Sequence, residues 1–191
     1  MLEAFLLPAG VVALAEIGDK TQLLAFVLAA RYRRPAPLIL GILIATLLNH
    51  AVAGLLGAWL SQAVPAAALQ LALGLGFLAM AIWLLVPDRL DQDAVAAPAR
   101  YGAFLTTLGL FFLAEIGDKT QVATVALAAR YETATLAVVL GTTAGMMLAN
   151  VPAVLLGERL AGRLPARTLQ RLAAALFALT GLLTLAGLAR G

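Results

Sequence analysis

The 191-residue chain contains no cysteine, which excludes disulfides, thiolate metal ligands and dithiol redox chemistry together. It has one histidine, His50, so any metal it handles must rely on oxygen donors or on that single ring. Charge is scarce as well: 12% of residues are Asp, Glu, Lys or Arg against 63% hydrophobic, far from the balance of a soluble domain. Nothing alternates polar and apolar residues over short strands, which argues against a porin-type barrel. Nor do the basic residues form a nucleic-acid-binding patch, although the pI is near 9.8; they sit at the ends of apolar runs.

What is present is a series of long apolar runs, several near the ~20 residues a helix needs to cross a ~30 Å hydrocarbon core. The sequence predicts an all-α integral membrane protein with six transmembrane helices, at about 4–30, 38–60, 67–86, 101–129, 135–156 and 169–188. The first run has no basic flank and is interrupted by charge, so it is not expected to be a cleaved signal peptide.

The chain also repeats itself. Leu14–Gln22 and Leu113–Gln121 are the same nine residues, LAEIGDKTQ, and LAARY recurs in register at Leu28–Tyr32 and Leu127–Tyr131. Gly41 then pairs with Gly141, Gly57 with Gly157 and Pro65 with Pro165. Two three-helix repeats are expected, at 1–86 and 101–191, joined by a cytoplasmic linker at 87–100. An odd number of crossings per repeat turns the second copy over, giving the inverted topology of many secondary transporters. Arginines gather after the first, third and fifth runs (Arg31, Arg33, Arg34, Arg89, Arg159 and Arg163 among them), which places both termini outside by the positive-inside rule.

Each EIGDKTQ copy sets acids and a lysine inside a membrane run, where a charge costs roughly 2.5–3.5 kcal/mol. On a continuous helix Glu16, Asp19 and Lys20 share a face, as do Glu115, Asp118 and Lys119. If the repeats meet at a pseudo-twofold axis, the two patches form one buried cluster near the midplane. Four acids and two lysines leave a formal balance of minus two, which one divalent cation or two protons would cancel. Oxygen ligands favour Ca2+, Mg2+ or Mn2+, and Gln22, Gln121, Thr21 and Thr120 could add neutral oxygens.

Gly18 and Gly117 sit mid-run, where glycine serves either close helix packing, its commoner use in membranes, or an unwound turn. The bland reading of the acids is a pair of intrahelical Glu–Lys bridges; that of Lys20 and Lys119 is charge balance or gating. His50, whose counterpart is Asn150, is expected to hydrogen-bond between helices rather than to ligate an ion or relay protons. Asn49, Thr46, Thr142 and Thr143 are expected to be interhelical glue.

On these motifs the sequence resembles Uncharacterised Protein Family 0016, which has two E-x-G-D-(K/R)-(S/T) copies and includes Golgi members and bacterial manganese exporters of the MneA type. Glu16, Gly18, Asp19, Lys20 and Thr21 match the first copy; Glu115, Gly117, Asp118, Lys119 and Thr120 match the second. The resemblance implies export of Mn2+ or Ca2+ from the cytoplasm, driven by proton entry, with the motif acids as the ion site and no cofactor. The expected setting is a prokaryotic plasma membrane and the expected state a monomer in the bilayer, not an enzyme, whose partners are the ion and protons.

Three alternatives stand beside it. A Ca2+/proton exchanger would use the same residues, and a small organic-solute or amino-acid exporter would need a pocket that the motif spans, with Phe26, Phe111 and Phe112, do not supply. An intramembrane aspartyl protease would share Asp after Gly on two spans, but the Gly-x-Gly-Asp pattern is missing and adjacent lysines would keep both aspartates ionised.

Overall fold

The computed structural model describes residues 1–86, 101–156 and 166–188, and the described residues fold as helices and short turns. They form α1 (Leu2–Glu16), α2 (Lys20–Tyr32), α3 (Pro35–Ala63), α4 (Ala66–Leu84), α5 (Gly102–Glu115), α6 (Lys119–Arg130), α7 (Thr135–Leu156) and α8 (Ala166–Leu188), with a 3-10 turn at Glu132–Ala134. The expected linker at 87–100, and Gly157, Arg159, Arg163 and Pro165, lie outside the described residues.

Among the described residues, four helices are long and apolar enough to cross a membrane: Pro35–Ala63, Ala66–Leu84, the stretch Glu132–Leu156 and Arg167–Leu188. The largest, α3, has 29 residues and at about 1.5 Å per residue reaches roughly 44 Å. Pro35 begins it where a missing N–H costs nothing, and Arg33, at φ 51°, ends α2 in the left-handed region. Large apolar side chains such as Leu55, Trp59, Leu148 and Leu179 stay exposed on the outer faces, the surface that lipid would cover.

The motif runs depart from the expectation of one continuous helix each. Both are broken at the same place, α1 from α2 and α5 from α6. Ile17 (φ −68°, ψ 114°) and Gly18 (φ 85°) carry the dihedrals of a type II turn, closed by the Asp19 N–H donating to the Glu16 carbonyl at 3.0 Å. Ile116 (φ −62°, ψ 120°), Gly117 (φ 72°) and the Asp118 N–H to Glu115 carbonyl bond, 3.1 Å, repeat it. The second central position of such a turn needs a positive φ, which glycine accepts without strain. A Cβ on Gly117 would meet nothing within 4 Å, so this glycine serves the turn and not close packing. Pro8, by contrast, lies within α1 without ending it.

The two halves are interlaced. α1 packs on α7 and α5 on α3, so each half's first helix lies on the other half's long one. A Cβ at Gly41 would stand 3.0 Å from the Phe104 carbonyl oxygen, and one at Gly141 2.4 Å from that of Phe5. Phe5 and Phe104 occupy the same place in their repeats, so the sequence duplication is also a duplication of contacts. The outer pair is less even: α8 packs on α1 and α4 on α6, while the counterparts, α4 on α5 and α8 on α2, are not made to a comparable extent.

One turn along from Gly141, Gly145 brings α7 against α1, where an added Cβ would stand 2.4 Å from the Ala9 carbonyl oxygen. Backbone cannot yield as a side chain can, so Gly145→Leu is expected to cost about 1–3 kcal/mol or more by overpacking. Gly76→Leu, with nothing within 4 Å, is the control and should be neutral. Thermal unfolding midpoints of the two variants in one detergent check this; equal midpoints would contradict the packing.

Candidate ion site at the paired helix breaks

The breaks bring the C-terminal ends of α1 and α5 and the N-terminal ends of α2 and α6 to the motif charges. Glu16 and Glu115 are the last residues of α1 and α5; Asp19 and Asp118 are the N-cap residues of α2 and α6. Neither aspartate caps its own helix with its side chain. Instead the charges cross between repeats: Lys20 Nζ lies 2.8 Å from Asp118 Oδ1 and Lys119 Nζ 3.6 Å from Asp19 Oδ1. The shared helical face expected for each triad is thus replaced by a turn, and the lysines pair with aspartates across the repeats rather than in the intrahelical Glu–Lys bridges of the bland reading.

The rest of each motif secures its own break. Thr21 donates to Glu16 Oε2 at 2.6 Å and Thr120 to Glu115 Oε2 at 2.9 Å. Gln22 Oε1 accepts from the Gly18 N–H at 2.8 Å and Gln121 Oε1 from the Gly117 N–H at 2.7 Å. The two glutamines therefore use their oxygens to satisfy turn N–H groups that helix has abandoned. Gln22 also donates to the Ala149 carbonyl at 3.1 Å, tying the first break to α7.

Glu16, Asp19 and Asp118 each present a carboxylate oxygen so that the three lie within 4.8 Å of one another, all buried. Glu115 is fully buried too but stands outside this group. Among the described residues, Glu16 Oε1, Asp118 Oδ2 and Glu115 Oε1 have no hydrogen-bond partner. A buried carboxylate oxygen left so is costly, and cation binding or protonation would relieve it.

The secondary candidates divide. Asn49 donates across to the Phe112 carbonyl on α5 at 3.1 Å, as interhelical glue should. Asn150 donates to Met146 in its own helix, and Thr142 to Val139 in its own. His50 is wholly buried, but its ring nitrogens have no partner among the described residues, nor do Thr46 Oγ1 and Thr143 Oγ1. The expected interhelical bond of His50 is therefore not made. Glutamine as a turn cap was the role that sequence reasoning missed; its signal was Gln four residues after Gly in both copies.

Comparison with known proteins bears on what such a site serves. Residues 4–92 and 103–190 both match the family described as "Divalent cation/proton antiporter GDT1". The chain belongs to the GDT1 family. It is 48% identical over 173 residues to a Vibrio cholerae protein named "Putative manganese exporter", covering 91% of this chain and 86% of that one. A "GDT1-like protein" of Synechocystis is 30% identical over 196 residues, covering 93% and 94%. No solved structure matches the chain. A GDT1 member is a membrane transporter of divalent cations and protons rather than an enzyme, and the two matched segments of this one correspond to its two motif-bearing halves.

Proposed function

We propose that this GDT1 protein exports Mn2+ from a prokaryotic cytoplasm in exchange for protons, through one site made by both EIGDKTQ motifs. The observation that carries the reading is the convergence of Glu16, Asp19 and Asp118 within 4.8 Å in the interior of a lipid-facing helical bundle. Three hard oxygen donors suit Mn2+ or Ca2+, and the name of the Vibrio cholerae relative favours manganese. Glu115, held by Thr120, completes the four acids, with Lys20 and Lys119 as internal counter-ions.

In this reading α1–α2, α3, α4, α5–α6, α7 and α8 are six crossings in two inverted repeats, 1–86 and 101–191, with both termini outside and the monomer as the working unit. Broken helices fit such a plan, since irregular backbone within a membrane occurs where it lines a site. The charge balance of minus two makes the exchange alternate: a divalent ion or two protons neutralises the cluster, and the fully ionised state without either is penalised in low dielectric.

The test is purified protein in proteoliposomes with an imposed pH gradient and Mn2+, Ca2+ and Mg2+ supplied in parallel. Saturable Mn2+ flux coupled to proton counterflow, at two protons per ion, is expected. No flux of any divalent ion from folded protein would overturn the reading, and faster Ca2+ than Mn2+ flux would reassign the cargo.

A further inference from the structure

The two lysines are alike in sequence and unlike in setting. Lys119 is nearly enclosed: its side chain is 4% exposed, and its Nζ lies 3.4 Å from the Val86 carbonyl oxygen beyond the end of α4 as well as 3.6 Å from Asp19. Lys20 makes the shorter contact, 2.8 Å to Asp118, yet its side chain is 27% exposed. Each lysine opens its helix, α2 or α6, and a helix N-terminus carries partial positive charge that repels an ammonium, so the difference between them lies in exposure.

Asp118 is also one of the three acids whose oxygens converge. Its Oδ1 faces Lys20, while its Oδ2 has no hydrogen-bond partner among the described residues. A dication on Oδ2 and an ammonium on Oδ1 would share one buried carboxylate and repel each other at close range, with little solvent to screen them. Separating them relieves that repulsion, and Lys20 has an exposed side to move to.

We propose that Lys20 is a tethered stand-in for the cargo, its ammonium holding Asp118 when no divalent ion is bound and turning to its exposed side, at the rim of the same cluster where it still counts in the charge balance, when one binds. This rests on the ion site described under Proposed function. Lys20 is then a specificity-setting competitor inside the site: it weakens binding enough for release on the far side and penalises monovalent ions, which gain too little to displace it. Lys119 stays in place and serves as the fixed counter-charge.

Two substitutions separate this role from that of a structural tie between repeats. Lys20→Gln removes the competitor and is expected to tighten Mn2+ binding at least tenfold. Lys20→Arg keeps the charge but offers Asp118 a two-pronged guanidinium that is harder to displace, and is expected to weaken binding at least tenfold. A structural tie predicts the reverse order, with Arg close to wild type and Gln impaired.

The readout is Mn2+ binding to the purified full-length protein in detergent, followed by the spectroscopic signal of free aquo-Mn2+, with thermal unfolding of each preparation alongside. Gln tighter and Arg weaker than wild type supports the proposal. Arg binding like wild type overturns it, even if the Gln variant fails to fold. Wild-type protein that binds neither Mn2+ nor Ca2+ overturns the ion site itself, whereas wild-type binding with unmoved variants overturns Lys20 alone.

Discussion

Asp118→Asn is expected to lower divalent-cation flux by about 100-fold. The change removes one of three converging carboxylates and the partner of Lys20 in a single step. Truncating one partner of a buried charge pair costs binding about 2–5 kcal/mol, and each 1.4 kcal/mol is a factor of ten, so about two powers of ten are at stake. The cost in stability should be smaller than that, because the stranded ammonium of Lys20 is partly exposed and can reach water. Asp19→Asn acts on the nearly buried Lys119 instead, and should lose more stability for a similar loss of flux. Flux in proteoliposomes and unfolding midpoints from the same preparations check both; an Asp118→Asn protein keeping a tenth of wild-type flux would remove Asp118 from the site.

Substitution at the turn glycines is expected to be nearly as damaging without touching a charge. Gly18 and Gly117 sit at φ 85° and 72°, where an L-residue pays roughly 1–2 kcal/mol and a β-branched one more. The space around Gly117 is open, so a side chain there is penalised only through the backbone. Gly117→Val should relax the turn toward helix, rotating Asp118 away from Lys20 and freeing the Gln121 cap, and flux should fall more than tenfold. Gly117→Asn should be milder, since asparagine tolerates positive φ. If Val and Asn behave alike, the turn is not what positions the acids.

How much of this was legible in the sequence differs from residue to residue. The duplication followed from the repeated LAEIGDKTQ strings and the family from the resemblance those motifs carry, while the burial of Glu16, Asp19, Glu115 and Asp118 followed from charged residues inside apolar runs, where charge is too costly to sit without a partner or a task. The start of α7 matched because Thr135 opens a largely apolar stretch. The break at Ile17–Gly18 did not follow, because Leu, Ala and Val continue on both sides and a helix through them satisfies every hydrophobic criterion. Local chemistry carried the better signal: Glu-Ile-Gly-Asp has glycine third, where a type II turn needs it, and Asp fourth, at the next helix's N-cap. The crossing of Lys20 to Asp118 was beyond sequence reach for another reason. It depends on where two distant segments meet, and one sequence cannot distinguish a bridge within a repeat from one between them.

The unequal packing of the outer helices has a thermodynamic corollary. For two matched halves whose α4 and α8 lean on α6 and α1, the conjugate arrangement, with α4 on α5 and α8 on α2, would be built from equivalent contacts with the roles exchanged. The free-energy gap between the two is confined to positions where the halves differ. Tyr131 donates to the Glu3 carboxylate at 2.8 Å, whereas its counterpart Tyr32 donates to the neutral Thr106 hydroxyl at 3.2 Å. If both arrangements are visited, such small departures from symmetry, rather than the bulk of the fold, would set their relative populations, and a ligand would shift them only by its differential affinity for the two.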